Sequence, residues 1–172
     1  DGLPAEYKDS YFQMVQYMLR AYLFSMEKYV YAEKNQLYYE QGRFASVNAY
    51  GQAALDAYDQ ILADLKYYNK TMSDGKWDGI LDPYNGTRTF PTISGEPEVV
   101  LLGEESAVAG IGSVCEGQST GNENVTLSFH SLTDDKRFID VFNTGLTPET
   151  YTIEADDALV ITRADGSAFT GS

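Results

Sequence analysis

A mixed α+β chain is what the sequence predicts: an antiparallel hairpin of two long helices, part of a helical bundle, followed by an immunoglobulin-like β-sandwich. Three observations lead there. Apolar residues recur at three- and four-residue steps as far as Asn69; a stretch punctuated by Pro, Gly and Asn follows; and short runs rich in β-branched and aromatic residues fill the remainder.

The first helix is expected over residues 5–40. Tyr11, Met14, Val15, Met18, Leu19, Tyr22, Leu23, Met26, Tyr29 and Val30 recur at the spacing of one helix face. Pro4 suits a first-turn position, Glu6 complements the amino-terminal dipole, and Gly42 is the first strong stop. From Ser46 the series Val47, Tyr50, Ala54, Tyr58, Ile61, Leu62 and Leu65 repeats the period until Asn69, with Gly75 beyond it, giving a second helix that returns antiparallel. Phe12, Tyr17, Phe24, Tyr31, Tyr38 and Tyr39 lie off the main stripe of the first helix, more apolar surface than a two-helix hairpin covers. Further helices or another subunit are expected around the pair.

After Trp77, Pro83, Asn85-Gly86, Pro91, Gly95 and Pro97 read as an ordered loop or linker. Strand-type runs follow at Val99–Leu102, Val125–Phe129, Arg137–Asn143, Thr150–Glu154 and Leu159–Thr162, separated by turn residues, which is the pattern of a sandwich. The expected division is a helical segment over 1–78, a linker over 79–97 and a β domain over 98–172.

The 172 residues suffice for a sizeable core, and 43% hydrophobic against 22% charged residues is ordinary globular usage. The formal charge is -14, with 15 acids and 4 bases after residue 78, so the acidic load sits in the β half as a solvated surface. That balance argues against nucleic acid and anionic membranes as partners. No apolar run reaches the length of a membrane span, and the first ten residues lack the basic and apolar regions of a signal peptide.

Chemistry-bearing residues are sparse. Cys115 and His130 are the only members of their types, which excludes an intramolecular disulfide and a thiolate-rich or His-rich metal site; His130 is the single imidazole a Ser-His-Asp triad could draw on, and a structural role is favoured for it. No cofactor or metal is expected. Glu104-Glu105, Asp134-Asp135 and Asp156-Asp157 are adjacent pairs, so in a strand their carboxylates point to opposite faces and read as turn and surface residues. Asn69, Asn85 and Asn124 each begin a glycosylation tripeptide, relevant only in a eukaryotic secretory host. More distinctive are Gln41-Gly42-Arg43 with Asn48, at the hairpin turn, and Gly75-Lys76-Trp77 after the second helix. Arg43 could clamp a carboxylate and Trp77 could stack on a sugar or cap the bundle; residue chemistry favours the structural role in each case.

The words LPAEYKDSYFQMVQYMLRAY and KNQLYYEQGRFASVNAYGQAALDAYDQILADLKYYNKTMSDGKWDGIL, in that order, resemble the helical region of glycoside hydrolase family 115, the xylan α-1,2-glucuronidases. RFIDVFNTGLTPETYTIEADDALVITRADGS is similar to the start of the β-sandwich that follows it there, so the resemblance covers most of residues 3–168. Its most specific parts are QGR-x4-N at Gln41, Gly42, Arg43 and Asn48, and YN-x5-GKW at Tyr68, Asn69, Gly75, Lys76 and Trp77. The resemblance implies a large inverting enzyme that removes glucuronic acid or its 4-O-methyl ether from glucuronoxylan. It implies catalytic carboxylates mainly in a barrel domain that this chain lacks, and a secreted or periplasmic location. An inverting pair of carboxyls stands about 6.5–9.5 Å apart across the sugar. No acid of this chain matches a catalytic motif of the family, so the expected catalytic set is empty, with Gln41, Arg43, Asn48, Lys76 and Trp77 as substrate-binding or structural candidates. The implied partners are glucuronoxylan through the intact parent enzyme, the missing barrel, and a second copy in a homodimer. After Trp77 the sequence departs from the family, reading DGILDPYNGTRTF where a Met-rich segment with His and Trp is usual. The sandwich is expected to be incomplete.

Overall fold

The computed structural model describes residues 2–81, 95–119, 127–130, 132–133 and 136–169. Most of the expected linker, the paired Asp134-Asp135, two of the three glycosylation tripeptides and part of the Val125–Phe129 run lie outside these residues.

The first helix forms as one rod: α1 (Ala5–Tyr11), a π-helical turn (Phe12–Gln16) and α2 (Tyr17–Glu40), with right-handed helical backbone at each join. Pro4 stands immediately before it and its carbonyl accepts the Tyr7 N–H at 3.1 Å. The rod stops at Gly42, whose φ of 71° is open to glycine without a Cβ penalty. The Gly42 N–H bonds to the Tyr39 carbonyl and the Arg43 N–H to the Tyr38 carbonyl, the paired pattern of a Schellman cap. The chain then reverses into α3 (Phe44–Lys66), which ends in a second π-helical turn (Tyr67–Thr71) and a 3-10 turn (Met72–Gly75).

The two rods pack along matching seams. On α2 the seam is Tyr17, Ala21, Phe24, Lys28, Tyr31, Asn35 and Tyr38; on α3 it is Phe44, Val47, Gly51, Ala54, Tyr58, Ile61 and Leu65. Both alternate steps of three and four residues, the repeat of helices packed side by side. Near the open end Phe12, Tyr17, Ala21, Ile61, Leu65, Tyr68 and Met72 form the apolar core, with Phe24, Trp77 and Leu81 against it.

The stripe that the periodicity singles out is the solvent face. Met14 is 72% exposed, Leu19 66% and Met26 64%, and the rest of that series is open as well; of the residues off the stripe, Phe12, Tyr17, Phe24, Tyr31 and Tyr38 turn inward, whereas Tyr39 is 48% exposed. The rod is apolar on both sides. Its inward side carries Lys28 and Asn35 among the aromatics, which lowers its average hydrophobicity below that of the exposed stripe although both polar residues are buried. The π-helical turn adds to the mismatch, because its wider winding rotates the residues before it relative to those after it. Phe12 thereby joins the core.

In the second half of the chain β1 (Ile111–Cys115) pairs antiparallel with β2 (Ile139–Asn143), Ile111 opposite Asn143 and Cys115 opposite Ile139. β2 falls within the expected Arg137–Asn143 run; β1, which begins Ile-Gly-Ser, was not expected from its composition. Among the described residues Thr150–Glu154 forms no strand, and Leu159–Thr162 contributes a single bridge, Thr162 to Ala168. Val114 is the one buried apolar residue of this half among the described residues, and Phe138, Leu132 and Val160 are exposed. Over the described residues the chain is thus mixed α+β, with two long helical rods and a small two-stranded sheet.

Candidate functional site: a junction at the hairpin tip

The Schellman cap delivers Arg43 to the point where the rods meet the sheet. Its side chain is buried, with Nη1 2.6 Å from Oδ2 of Asp140 on β2. The guanidinium lies 4.0 Å from the ring centroid of Phe142, also on β2, and 4.8 Å from that of Tyr38. A planar cation lying over two rings and held by a carboxylate uses both properties that separate Arg from Lys. Next to it Gln41 Nε2 donates to the Ser119 carbonyl at 2.8 Å. The hairpin tip is fastened to the β half by both residues flanking Gly42.

Asn48, one turn into α3, fastens a third element. Its Nδ2 donates to the Leu102 carbonyl and its Oδ1 accepts the Leu102 N–H, both at 2.8 Å. Asn35 on α2 does the same two residues earlier: Nδ2 donates to Val100 O and Oδ1 accepts from Val100 N, again at 2.8 Å each. The Val99–Leu102 run is extended, as its composition suggests, but its main-chain partners are two side-chain amides on the helices in place of a neighbouring strand. Gly51 makes room for it: a Cβ there would stand 2.7 Å from Leu101 Cδ2 and 3.1 Å from the Val100 carbonyl oxygen. Lys28, 2% exposed, donates from Nζ to the Gly95 carbonyl at 3.3 Å and sits 4.7 Å from the Tyr29 ring centroid. Asn35 also donates to the Val47 carbonyl at 2.7 Å, so it joins both rods as well as the strap.

Lys76 and Trp77 lie at the other end of the hairpin, separated from Arg43 by the length of α3, about 35 Å at 1.5 Å per residue. Trp77 is half-buried against the core cluster, and Lys76 is exposed with Nζ 4.9 Å from the Trp77 ring. The five candidates therefore fall into two groups that cannot contact one sugar residue. The open end has its own polar lock. Asp9 Oδ2 accepts the Ser73 N–H at 2.7 Å and its Oδ1 accepts from Tyr67 Oη at 3.1 Å. The Ser73 amide, with smaller help from Tyr67 and the Ser73 hydroxyl, holds the Asp9 carboxyl below its ordinary range; burial and Asp9 push the Tyr67 phenol up. Ser73 and Asp74 here adopt left-handed backbone, with φ of 50° and 55°. At the edge of the core, the partly exposed Arg20 grips the buried Asp64 through Nε at 2.7 Å and Nη2 at 2.9 Å, a fork that raises the Arg20 pKa. Burial, with Tyr68 and Asp64 nearby, pushes the Tyr17 phenol up to about 12.

None of this is an acid–base constellation. Asp64 and Asp140 are each bound to an arginine, Asp156 closes its own turn through the Ala158 N–H, and Glu104-Glu105 occupy one 3-10 turn. His130 is exposed and its Nδ1 faces the Leu132 N–H at 3.4 Å. Cys115 is free at the end of β1. Among the described residues no three His, Cys, Asp or Glu side chains converge as a metal site, and no helix is long and apolar enough to cross a membrane. Asn69, one of the three glycosylation candidates, uses its Oδ1 to accept the Leu81 N–H at 3.0 Å. Sequence reasoning found Gln41, Arg43 and Asn48 but missed Lys28, Asn35, Gly51 and Asp140. A signal for the first two was present: polar residues at inward positions of a three-and-four repeat require partners.

Compared with known proteins, the chain matches no protein-family model and no curated protein.

Proposed function

We propose that this chain is the helical-plus-β accessory portion of a xylan α-1,2-glucuronidase-like hydrolase of the family 115 type, in which it organises the architecture while a barrel domain carries the chemistry. The observation that carries the reading is the fate of QGR-x4-N, the most specific resemblance in the sequence. Gln41, Arg43 and Asn48 each bind a segment that follows the helical hairpin, namely Ser119, Asp140 and Leu102. A motif with that job belongs to a helical domain joined to a β domain, the order implied for that family. The β half then corresponds to the opening strands of an immunoglobulin-like sandwich. The exposed apolar stripe of the first rod supports the same reading, since it offers a long unpaired face to the remainder of a larger assembly. Glucuronoxylan would be the substrate of the parent, which would act outside the cytoplasm.

The test is release of glucuronic or 4-O-methylglucuronic acid from glucuronoxylan by the purified chain. No release above the substrate blank is expected. Turnover that co-purifies with the chain through successive columns would refute the accessory role.

A carbohydrate-binding or structural assembly module without catalysis is the second reading, its carbohydrate side favoured by a shallow cleft where the Tyr29 ring stands beside Lys28, Glu33, Gln36 and Glu96. Affinity electrophoresis in glucuronoxylan gels discriminates. Retardation lost in Tyr29→Ala would favour binding; Trp77→Ala is a poor probe because that ring packs on the core.

A further inference from the structure

The strap seated between the rods is held in an unusual way for an extended segment. Its partners are the carboxamides of Asn35 and Asn48, and each carboxamide presents one donor and one acceptor to one residue, as a neighbouring strand does. The two engaged residues, Val100 and Leu102, are two apart, which is the repeat of one edge of an extended chain. All four bonds go to main-chain atoms, so this recognition is blind to side-chain identity. Gly51 lies beneath the intervening Leu101, where a Cβ would crowd Leu101 Cδ2, the Asn35 carboxamide and the Val100 carbonyl oxygen.

We infer that Asn35, Asn48 and Gly51 form a binding site for extended peptide main chain, filled in cis by residues 98–102 and able to take the same type of segment from another chain when the strap is out. This goes beyond the xylan reading and does not rest on it. The ligand class follows from the chemistry: two successive in-phase amides, each offering N–H and C=O, with a small or flexible residue face toward Gly51. Tethering gives the cis strap an effective concentration on the order of millimolar, so an outside peptide competes poorly while the strap is seated.

The test uses the full chain in two forms, unaltered and with Val100→Pro plus Leu102→Pro, which deletes the two strap N–H donors but leaves the cradle intact. The probe is a fluorescent peptide with the sequence of residues 96–104, followed by anisotropy. The strap-disabled chain should bind it at least roughly tenfold more tightly than the unaltered chain does, as removal of an intramolecular competitor requires. The same peptide N-methylated at the positions of Val100 and Leu102 should not bind, and Gly51→Val in the strap-disabled chain should abolish binding. Failure to bind with the helical circular dichroism retained, or equal binding of the N-methylated peptide, would overturn the inference. A second measurement holds if the double-proline chain does not fold. In the unaltered chain, excess unlabelled peptide of residues 96–104 should speed hydrogen exchange at the Val100 and Leu102 amides, as its replacement of the strap requires; rates that do not respond to the peptide would equally overturn it.

Discussion

Arg43 shows how much a single residue type decides at the hairpin tip. Its ion pair with Asp140 and its stack on Phe142 tie the helices to β2 through a group whose planarity Lys cannot reproduce. Asn48 makes a comparable commitment: Asn48→Ala leaves the Leu102 N–H and carbonyl without their partner, and a loss of about 1–3 kcal/mol in urea unfolding is expected. Tyr17 makes a pH prediction. Its folded pKa, about 12, lies above the ordinary 10, so the unfolded chain surrenders the proton first as pH rises. The stabilisation is complete below pH 10 and is lost between pH 10 and 12, on the order of 2 kcal/mol for a shift of that size. Alkaline titration of unfolding should show that slope in the unaltered chain and a flatter one in Tyr17→Phe. Asp9 acts at the other extreme: its lowered folded pKa means that its contribution is present above the unfolded carboxyl pKa and fades as pH falls through the acid range below it. Arg43 and Asn48 were legible as a motif in the sequence, but their partners were not, because Asp140 and Leu102 are distant in sequence and the charge pattern does not mark them.

At the scale of elements, both helices, their antiparallel return and the stop at Gly42 were legible, because period, cap and turn chemistry agree. Which side of the first rod faces inward was not. Periodicity measures the regularity of apolar residues, and the open stripe is the more regular one; the inward seam is interrupted by Lys28 and Asn35, whose partners lie in the strap. Substitution separates the two faces. Leu19→Gln and Met26→Gln, on exposed positions and between residues of similar helix propensity, should each change stability by no more than about 0.5 kcal/mol. Ile61→Ala, in the core at 3% exposure, should cost about 2–5 kcal/mol by the same denaturant titration. The reverse order would show that the stripe, and not the seam, is buried. The strap was legible as an extended run; its attachment to side-chain amides was not, since strand propensity describes the fit of side chains and says nothing of what binds the main chain.

On the scale of the whole molecule, the helical and β halves are tied, among the described residues, by Gln41 to Ser119, Arg43 to Asp140, and the strap to Asn35 and Asn48. The residues of the QGR-x4-N pattern supply a contact at every one, while Lys76 and Trp77 serve the opposite end of the hairpin. The account's central claim is that this pattern is architectural, and thermal unfolding of Arg43→Lys tests it most directly. Loss of the bidentate-capable, ring-stacked group should destabilise the chain by about 1–3 kcal/mol, lowering Tm by roughly 2–10 °C for a chain of this size. An unchanged Tm in Arg43→Lys would contradict the claim and return Arg43 to the role of a ligand-binding residue.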